Sequence, residues 1–200
     1  MSMWDERYAE GGYFYGTEPN DFLREQAGGI IKGGRVLCLA EGEGRNAVYL
    51  AGLGLQVTGV DGSAVGLEKT RKLAAGKGVQ VATVLADLAE YKIVPGAWDA
   101  IVSIWCHLPK PLRRKVHSDC VAGLKAGGLF ILEAYTPRQL EFKTGGPPTA
   151  ELLMTLADLK EELRGLDFLI GREIDRAIQE GMGHSGQSAV VQVVGSKPRK

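Results

Sequence analysis

Arg35-Val-Leu-Cys-Leu39 is a short apolar run that breaks directly into Ala40-Glu-Gly-Glu-Gly-Arg-Asn46. That is the pattern of a buried strand entering a tight turn, and Arg45 to Leu53 then reads as a helix. Gln56-Val-Thr-Gly-Val60 repeats the arrangement: a second strand ends at Asp61-Gly62, and Ser63 caps a helix running to about Ala75, with Gly76 as its stop. Val79 to Leu85 predicts a third strand ending at Asp87, and Trp98 to Trp105 a fourth, apolar enough to lie inside a sheet. Strand followed by helix, repeated, is the order of a parallel sheet.

Downstream, Pro111 to Gly123 predicts a helix with proline in its first turn. Leu129 to Tyr135 is a fifth strand, followed by the Gly/Pro loop Thr144 to Thr149, which is expected to border the site. Thr155 and Asp158 have the spacing of a capping box for a helix ending near Leu163. Phe168 to Ile178 and Ala189 to Val194 have no helix between them, so they are expected to pair as an antiparallel hairpin at the sheet edge. The fold class is therefore α/β, doubly wound, with a mostly parallel seven-stranded sheet and a C-terminal antiparallel hairpin.

At 200 residues the chain reads as one domain, 1–200, with an aromatic-rich N-terminal segment (1–34) ahead of a core (35–200). Lys plus Arg and Asp plus Glu balance at 24 each, and the longest basic run is Arg113-Arg114-Lys115, so a nucleic-acid partner is not expected. No apolar run approaches the length of a membrane span. Three cysteines and an N-terminus without an apolar leader fit a reducing cytoplasm.

In a doubly wound sheet the ligand lies beyond the carboxyl ends of the strands. This rim gathers Glu41 to Arg45, Asp61, Asp87 and Trp105 to His107. Gly42 and Gly44 let the backbone approach a ligand, and Asp61 is placed to accept hydrogen bonds from two ribose hydroxyls. Gly42-Glu-Gly-Arg-Asn-Ala47 also satisfies the G-x-G-x-x-A dinucleotide fingerprint, so the turn alone leaves a nicotinamide cofactor open. Context weighs against it, because the late hairpin replaces a further parallel strand and no second domain holds a hydride partner.

Trp4-Asp-Glu-Arg-Tyr8, Tyr15-Gly-Thr-Glu-Pro-Asn20, Val36 to Asn46, Gly59-Val-Asp-Gly-Ser63, Ala86-Asp87, Trp98-Asp99 and Glu180-Gly-x-x-His184-x-Gly186 together carry a resemblance covering nearly the whole chain. The sequence resembles the class I S-adenosylmethionine-dependent methyltransferases, which are Rossmann-like, and within them the small tellurite-resistance and thiopurine-type branch. The resemblance implies S-adenosylmethionine as cofactor: Gly42 and Gly44 against its methionine part, Asp61 at the ribose with Gly62 and Ser63 beside it, and Asp87 with Leu88 at the adenine. Ile104 to His107 would line the floor next to the methyl. The chain departs from the family's turn, with Cys38 where an acid is usual, Ala40 where glycine is usual, and the acid displaced to Glu41.

Methyl transfer from a sulfonium requires in-line placement and exclusion of water more than acid-base machinery, so no triad is expected. His107 and His184 are the catalytic candidates. Tyr13, Tyr15, Arg45, Trp105, His107, Arg138 and His184 are expected to face a small-molecule acceptor, a soft nucleophile such as a thiol or an oxyanion such as tellurite. Arg45 and Arg138 would serve the oxyanion. Six aromatics in the first 22 residues suggest a lid, with a helix packed on the sheet as its plain alternative. Cys38 is expected in the core and His117 on the surface; no metal site is expected. The alternatives are an NAD-dependent oxidoreductase and a noncatalytic S-adenosylmethionine-binding regulatory protein.

Overall fold

The computed structural model describes residues 3–199. Strand β1 (Arg35–Leu39) alternates its side chains so that Val36 and Cys38 enter one core layer while Leu37 and Leu39 enter the other. A strand with apolar residues on both faces must be covered on both. The remaining strands are β2 (Gln56–Asp61), β3 (Ala82–Leu85), β4 (Trp98–Ile104), β5 (Leu124–Tyr135), β6 (Asp167–Glu180) and β7 (His184–Ser196). They form one seven-stranded sheet in the order β3-β2-β1-β4-β5-β7-β6. Strands β1 to β5 pair in parallel, whereas β7 runs antiparallel to both β5 and β6.

The helices are α1 (Met3–Ala9), α2 (Asp21–Gln26), α3 (Arg45–Gly52), α4 (Ala64–Gly76), α5 (Lys110–Gly123), α6 (Gln139–Phe142) and α7 (Leu156–Glu162). On one face α5, α7 and the C-cap of α7 place Val116, Cys120, Leu159 and Leu163 against Leu37, Ile101, Phe130 and Val191. On the other, α2 and α3 place Phe22, Leu23 and Leu50 against Val36, Cys38, Val102 and Ile131. Among the described residues no helix is long and apolar enough to cross a membrane.

The caps form as their sequences suggest. Ser63 Oγ accepts the Gly66 N–H at 3.0 Å, and Thr155 with Asp158 closes a capping box on α7. Boundaries differ where tertiary pairing decides them. Strand β3 starts at Ala82, because only Ala82 to Leu85 pair with β2. Strand β5 extends back to Leu124, which pairs with Trp98 across an irregular register. The late hairpin is longer at its turn, so that His184 already pairs with Glu180.

His117 is a correction: it is 2% exposed, not on the surface. Its Nδ1 lies 2.8 Å from Glu162, which also takes a bidentate bond from Arg113, itself 1% exposed. The Arg113-Arg114-Lys115 run is therefore split between core and surface, because successive residues on a helix point to different sides.

Candidate active site

The turn between β1 and α3 passes through three left-handed residues, Ala40 (φ 48), Gly42 (φ 61) and Gly44 (φ 92). A Cβ on Gly42 would stand 2.6 Å from the Tyr8 hydroxyl, and one on Gly44 2.7 Å from Thr70. Glycine is thus required at both by approach as well as by φ. The Gly42 N–H donates to Asp61 Oδ2 at 2.8 Å and the Ser63 N–H to Asp61 Oδ1 at 2.7 Å. These two bonds lock the β1 and β2 turns together and orient the carboxylate. Burial raises the Asp61 pKa, opposed by the same two N–H groups.

The displaced acid has a defined local task. No side chain caps α3 at its N-cap, Gly44. Glu41 supplies the cap instead, accepting the Ala47 N–H at 2.7 Å. It lies over Gly59, where a Cβ would come within 3.1 Å of its Cγ. Burial pushes its pKa up to about 7.

These elements enclose a cavity of about 860 Å³ at the carboxyl ends of β1, β2 and β4. Among the predicted residues it brings together Glu41, Gly42, Asp61, Ile104, Tyr15, Arg45, Trp105, His107 and His184. The others lie elsewhere. Gly44 and Ser63 are caps of α3 and α4, and Gly62 is exposed beside them. Asp87 is exposed and accepts its own turn's Ala89 N–H at 2.8 Å, while Leu88 is buried in the core. Tyr13 packs against α4 and its hydroxyl donates to Lys69 O. Arg138 is 57% exposed and pairs with Asp175 at 2.9 Å, outside the cavity.

Arg45 is in the wall, but its guanidinium is bound to Glu180 at 2.5 Å. The same carboxylate accepts from Trp105 Nε1 at 2.7 Å and from Asn20 Nδ2 at 2.8 Å. Asn20 also donates to Glu133 at 2.6 Å, which holds Arg176 and Gln192. A buried, hydrogen-bonded ionic cluster of this kind fixes geometry.

His184 is buried, its ring stacked on Tyr15 at 4.7 Å and on Trp105 at 4.9 Å. Its Nδ1 lies 2.6 Å from the Tyr135 hydroxyl. Burial, and next the charge of Arg45, lowers its pKa to about 3. His107 donates its Nδ1–H to the Leu152 carbonyl at 3.1 Å, which leaves Nε2 as an acceptor. Burial first, with the Arg113 charge, lowers its pKa to about 4, opposed by the bond to Leu152. Both imidazoles are neutral near pH 7.

Sequence reasoning assigned no role to Arg7, Glu43 or Glu180, although Glu43 falls on the expected rim and Arg7 and Glu180 stand inside the Trp4 to Tyr8 and Glu180 to Gly186 motifs. Arg7 lies over the rings of Trp4 and Phe14 and donates to the Tyr15 hydroxyl at 3.3 Å. Glu43 is held by Lys69 at 2.8 Å and by the Tyr15 N–H at 3.3 Å. Among the described residues no cluster of three or more His, Cys, Asp or Glu could hold a metal ion.

The site fits an adenosyl sulfonium. The bare Gly42 backbone gives close approach, Asp61 offers a carboxylate in the wall, and Glu41 and Glu43 add acidic groups beside it. Residues 36–128 match the family model of a methyltransferase domain. No curated protein matches the sequence. Among solved structures, a protein reported for the conversion of a disulfide bond into a thioacetal group in echinomycin biosynthesis is 17% identical, with a TM-score of 0.76 over 98% of this chain and 91% of its own. TehB from Haemophilus influenzae is 20% identical with a TM-score of 0.73, over 97% of this chain and 65% of TehB. An S-adenosylmethionine-dependent methyltransferase from Methanosarcina mazei is 14% identical with a TM-score of 0.71, over 92% of this chain and 100% of its own. At these identities the likeness is one of fold, and the fold is the Rossmann-like one of class I methyltransferases. Together with the matched segment it defines an S-adenosylmethionine-dependent methyltransferase, with S-adenosylmethionine as cofactor.

Proposed function

We propose that the protein transfers a methyl group from S-adenosylmethionine to a small, neutral nucleophile held in the aromatic half of the cavity. The observation that carries this is the junction of Gly42, Asp61 and the wall of Tyr15, Trp105, His107 and His184 around one space. Bound S-adenosylmethionine supplies an electrophilic methyl on a positively charged sulfur. Asp61, oriented by two backbone N–H groups, would hold the ribose, and the bare Gly42 backbone the methionine part. The Asp61 carboxylate in the same wall also favours the cofactor's positive charges, whereas Glu43 is offset by Lys69. The aromatic wall excludes water and places the acceptor.

Of the two acceptor types expected, the oxyanion loses support, because Arg45 is neutralised by Glu180 and Arg138 lies outside the cavity. A soft or protic neutral acceptor is favoured. Helix α1 contributes Met3, Trp4, Arg7 and Tyr8 to the wall, which supports residues 1–200 acting as one domain with α1 as its cover. Three unpaired, buried cysteines suit a reducing cytoplasm. The balanced formal charge supports a small-molecule partner over nucleic acid.

Calorimetric titration with S-adenosylmethionine, S-adenosylhomocysteine and NAD tests the proposal. Both adenosyl ligands are expected to bind with micromolar affinity, weakened about tenfold or more by Asp61→Ala, as fits loss of charge-assisted bonds. Binding of NAD alone, or of none, would overturn it.

A further inference from the structure

Four rings of the cavity wall, Tyr15, His184, Trp105 and His107, pack in a run around Tyr135, which is fully buried behind them. Tyr15 stacks on His184 at 4.7 Å, His184 on Trp105 at 4.9 Å, and Trp105 on Tyr135 at 4.5 Å. His107 closes the run against Tyr135 at 5.7 Å, with an interplanar angle of 13°. Pro147, Pro148 and Leu152 line the same cavity. The parts of Tyr15, Trp105, His107 and His184 that line the cavity, with these three residues, make a wall suited to a flat molecule with an apolar ring.

One buried ring nitrogen of these wall side chains is left without a partner. His107 Nε2 is buried and has no hydrogen-bond partner, although the opposite ring nitrogen is fixed on Leu152 O. An unmatched acceptor in a binding wall costs free energy until something donates to it. The group that satisfies it must be a neutral donor, since a neutral imidazole offers no charge to hold an anion. S–H is a weak donor, and a thiol, with a pKa of about 8.5, reaches its reactive thiolate near neutral pH without help. An aryl hydroxyl, at about 10, is a stronger donor and does need a place for its proton.

Resting on the methyl-transfer reading above, we propose that the acceptor is a neutral, planar ring bearing a hydroxyl, and that His107 Nε2 accepts the hydrogen of that hydroxyl. In the reaction a lone pair of the hydroxyl oxygen forms the new O–C bond to the methyl carbon. The methyl C–S bond breaks and its electron pair stays on sulfur, leaving a neutral thioether. The hydroxyl proton passes to Nε2 as the oxygen is alkylated, and the imidazolium keeps its Nδ1–H on Leu152 O. A weak base suffices, because a hydroxyl oxygen under alkylation becomes strongly acidic. The proton leaves to solvent with the ether product.

The test uses the full chain saturated with S-adenosylhomocysteine, titrated with naphthol, naphthalenethiol and methoxynaphthalene. Failure to bind S-adenosylhomocysteine would count against the cofactor reading itself, before any acceptor is added. Naphthol is expected to bind about tenfold more tightly than its methyl ether, the size of one net hydrogen bond, and more tightly than the thiol. His107→Leu should abolish that preference, while His107→Gln, which keeps a carbonyl acceptor, should restore part of it. With only three histidines in the chain, the ring ¹⁵N resonances of the unsubstituted protein give an independent readout: naphthol should shift His107 Nε2. Equal affinity for naphthol and its ether, a preference for the thiol, no binding by any of the three, or an unmoved Nε2 resonance would each overturn the proposal.

Discussion

Ala40 stands where a left-handed conformation is required, at φ 48, and the two following turn positions that share it are glycines. Trp105, at φ 55, is the matching outlier at the end of β4, so strain collects on the cavity rim. An alanine in this region costs ~1–2 kcal/mol, and glycine costs ~0.5–1 kcal/mol more entropy in the unfolded chain. Ala40→Gly is therefore expected to raise stability by up to about 1 kcal/mol, read from the midpoint of urea denaturation. A loss of that size would mean that the packing of the Ala40 methyl outweighs the strain. The departure from the family's glycine was visible in the sequence, whereas its positive φ was not, since alanine rarely signals one.

At the level of elements, α1 is short and could not hold its helix by local propensity alone. Tyr8 anchors it, buried over Gly42, and Asp5 accepts the Ser63 hydroxyl at 2.6 Å at the start of α4. A helix so attached lines the cavity with Met3, Trp4, Arg7 and Tyr8. Removal of residues 1–9 should leave the circular dichroism of the sheet intact while weakening S-adenosylhomocysteine binding about tenfold or more, the value of one or two lost contacts. Unchanged affinity would reject the role of α1 as a cover. The hairpin is tied down differently, since Glu180 at its turn binds Arg45 of α3, Trp105 after β4 and Asn20, the cap of α2. Four segments thus meet on one carboxylate and set the aromatic wall.

For the molecule as a whole, buried titratable groups of opposite sense shape the response to pH. Glu41 has its pKa raised from 4.5 to about 7. Its contribution to stability is full below pH 4.5 and is lost as pH rises through about 7. His107 and His184 are lowered from 6.5 to about 4 and about 3. Their contribution is full above pH 6.5 and is lost as pH falls through those values. Glu41→Gln keeps an acceptor for the Ala47 N–H but cannot ionise. Relative to the unsubstituted protein its stability should rise between pH 5 and pH 8, by up to about 3 kcal/mol from the size of the shift. Denaturation midpoints at the two pH values check this; a constant difference would show that Glu41 titrates as it does in the unfolded chain.

Much was legible in the chain because it is local. Alternating apolar runs and helix caps depend on residues a few positions apart, so the order of the strands and of α3, α4, α5 and α7, the Ser63 and Thr155 caps, and the β1 turn with Gly42 and Asp61 on its rim could all be read directly, whereas the short α2 and α6 carry too few residues to show a helical period. The hairpin could be read too, but not that β7 lies inside the sheet with β6 at its edge. Only the tertiary structure decided which polar groups remain available. Arg45 read as a free cation until Glu180, 135 residues away, was placed on it. His117 read as surface until Glu162, 45 residues away, was placed beside it in the core. Asp87 and Leu88 follow a strand as expected, yet the chain turns one to its own backbone and the other into the core. Charge pairing and burial are relations between distant segments, and no local pattern carries them.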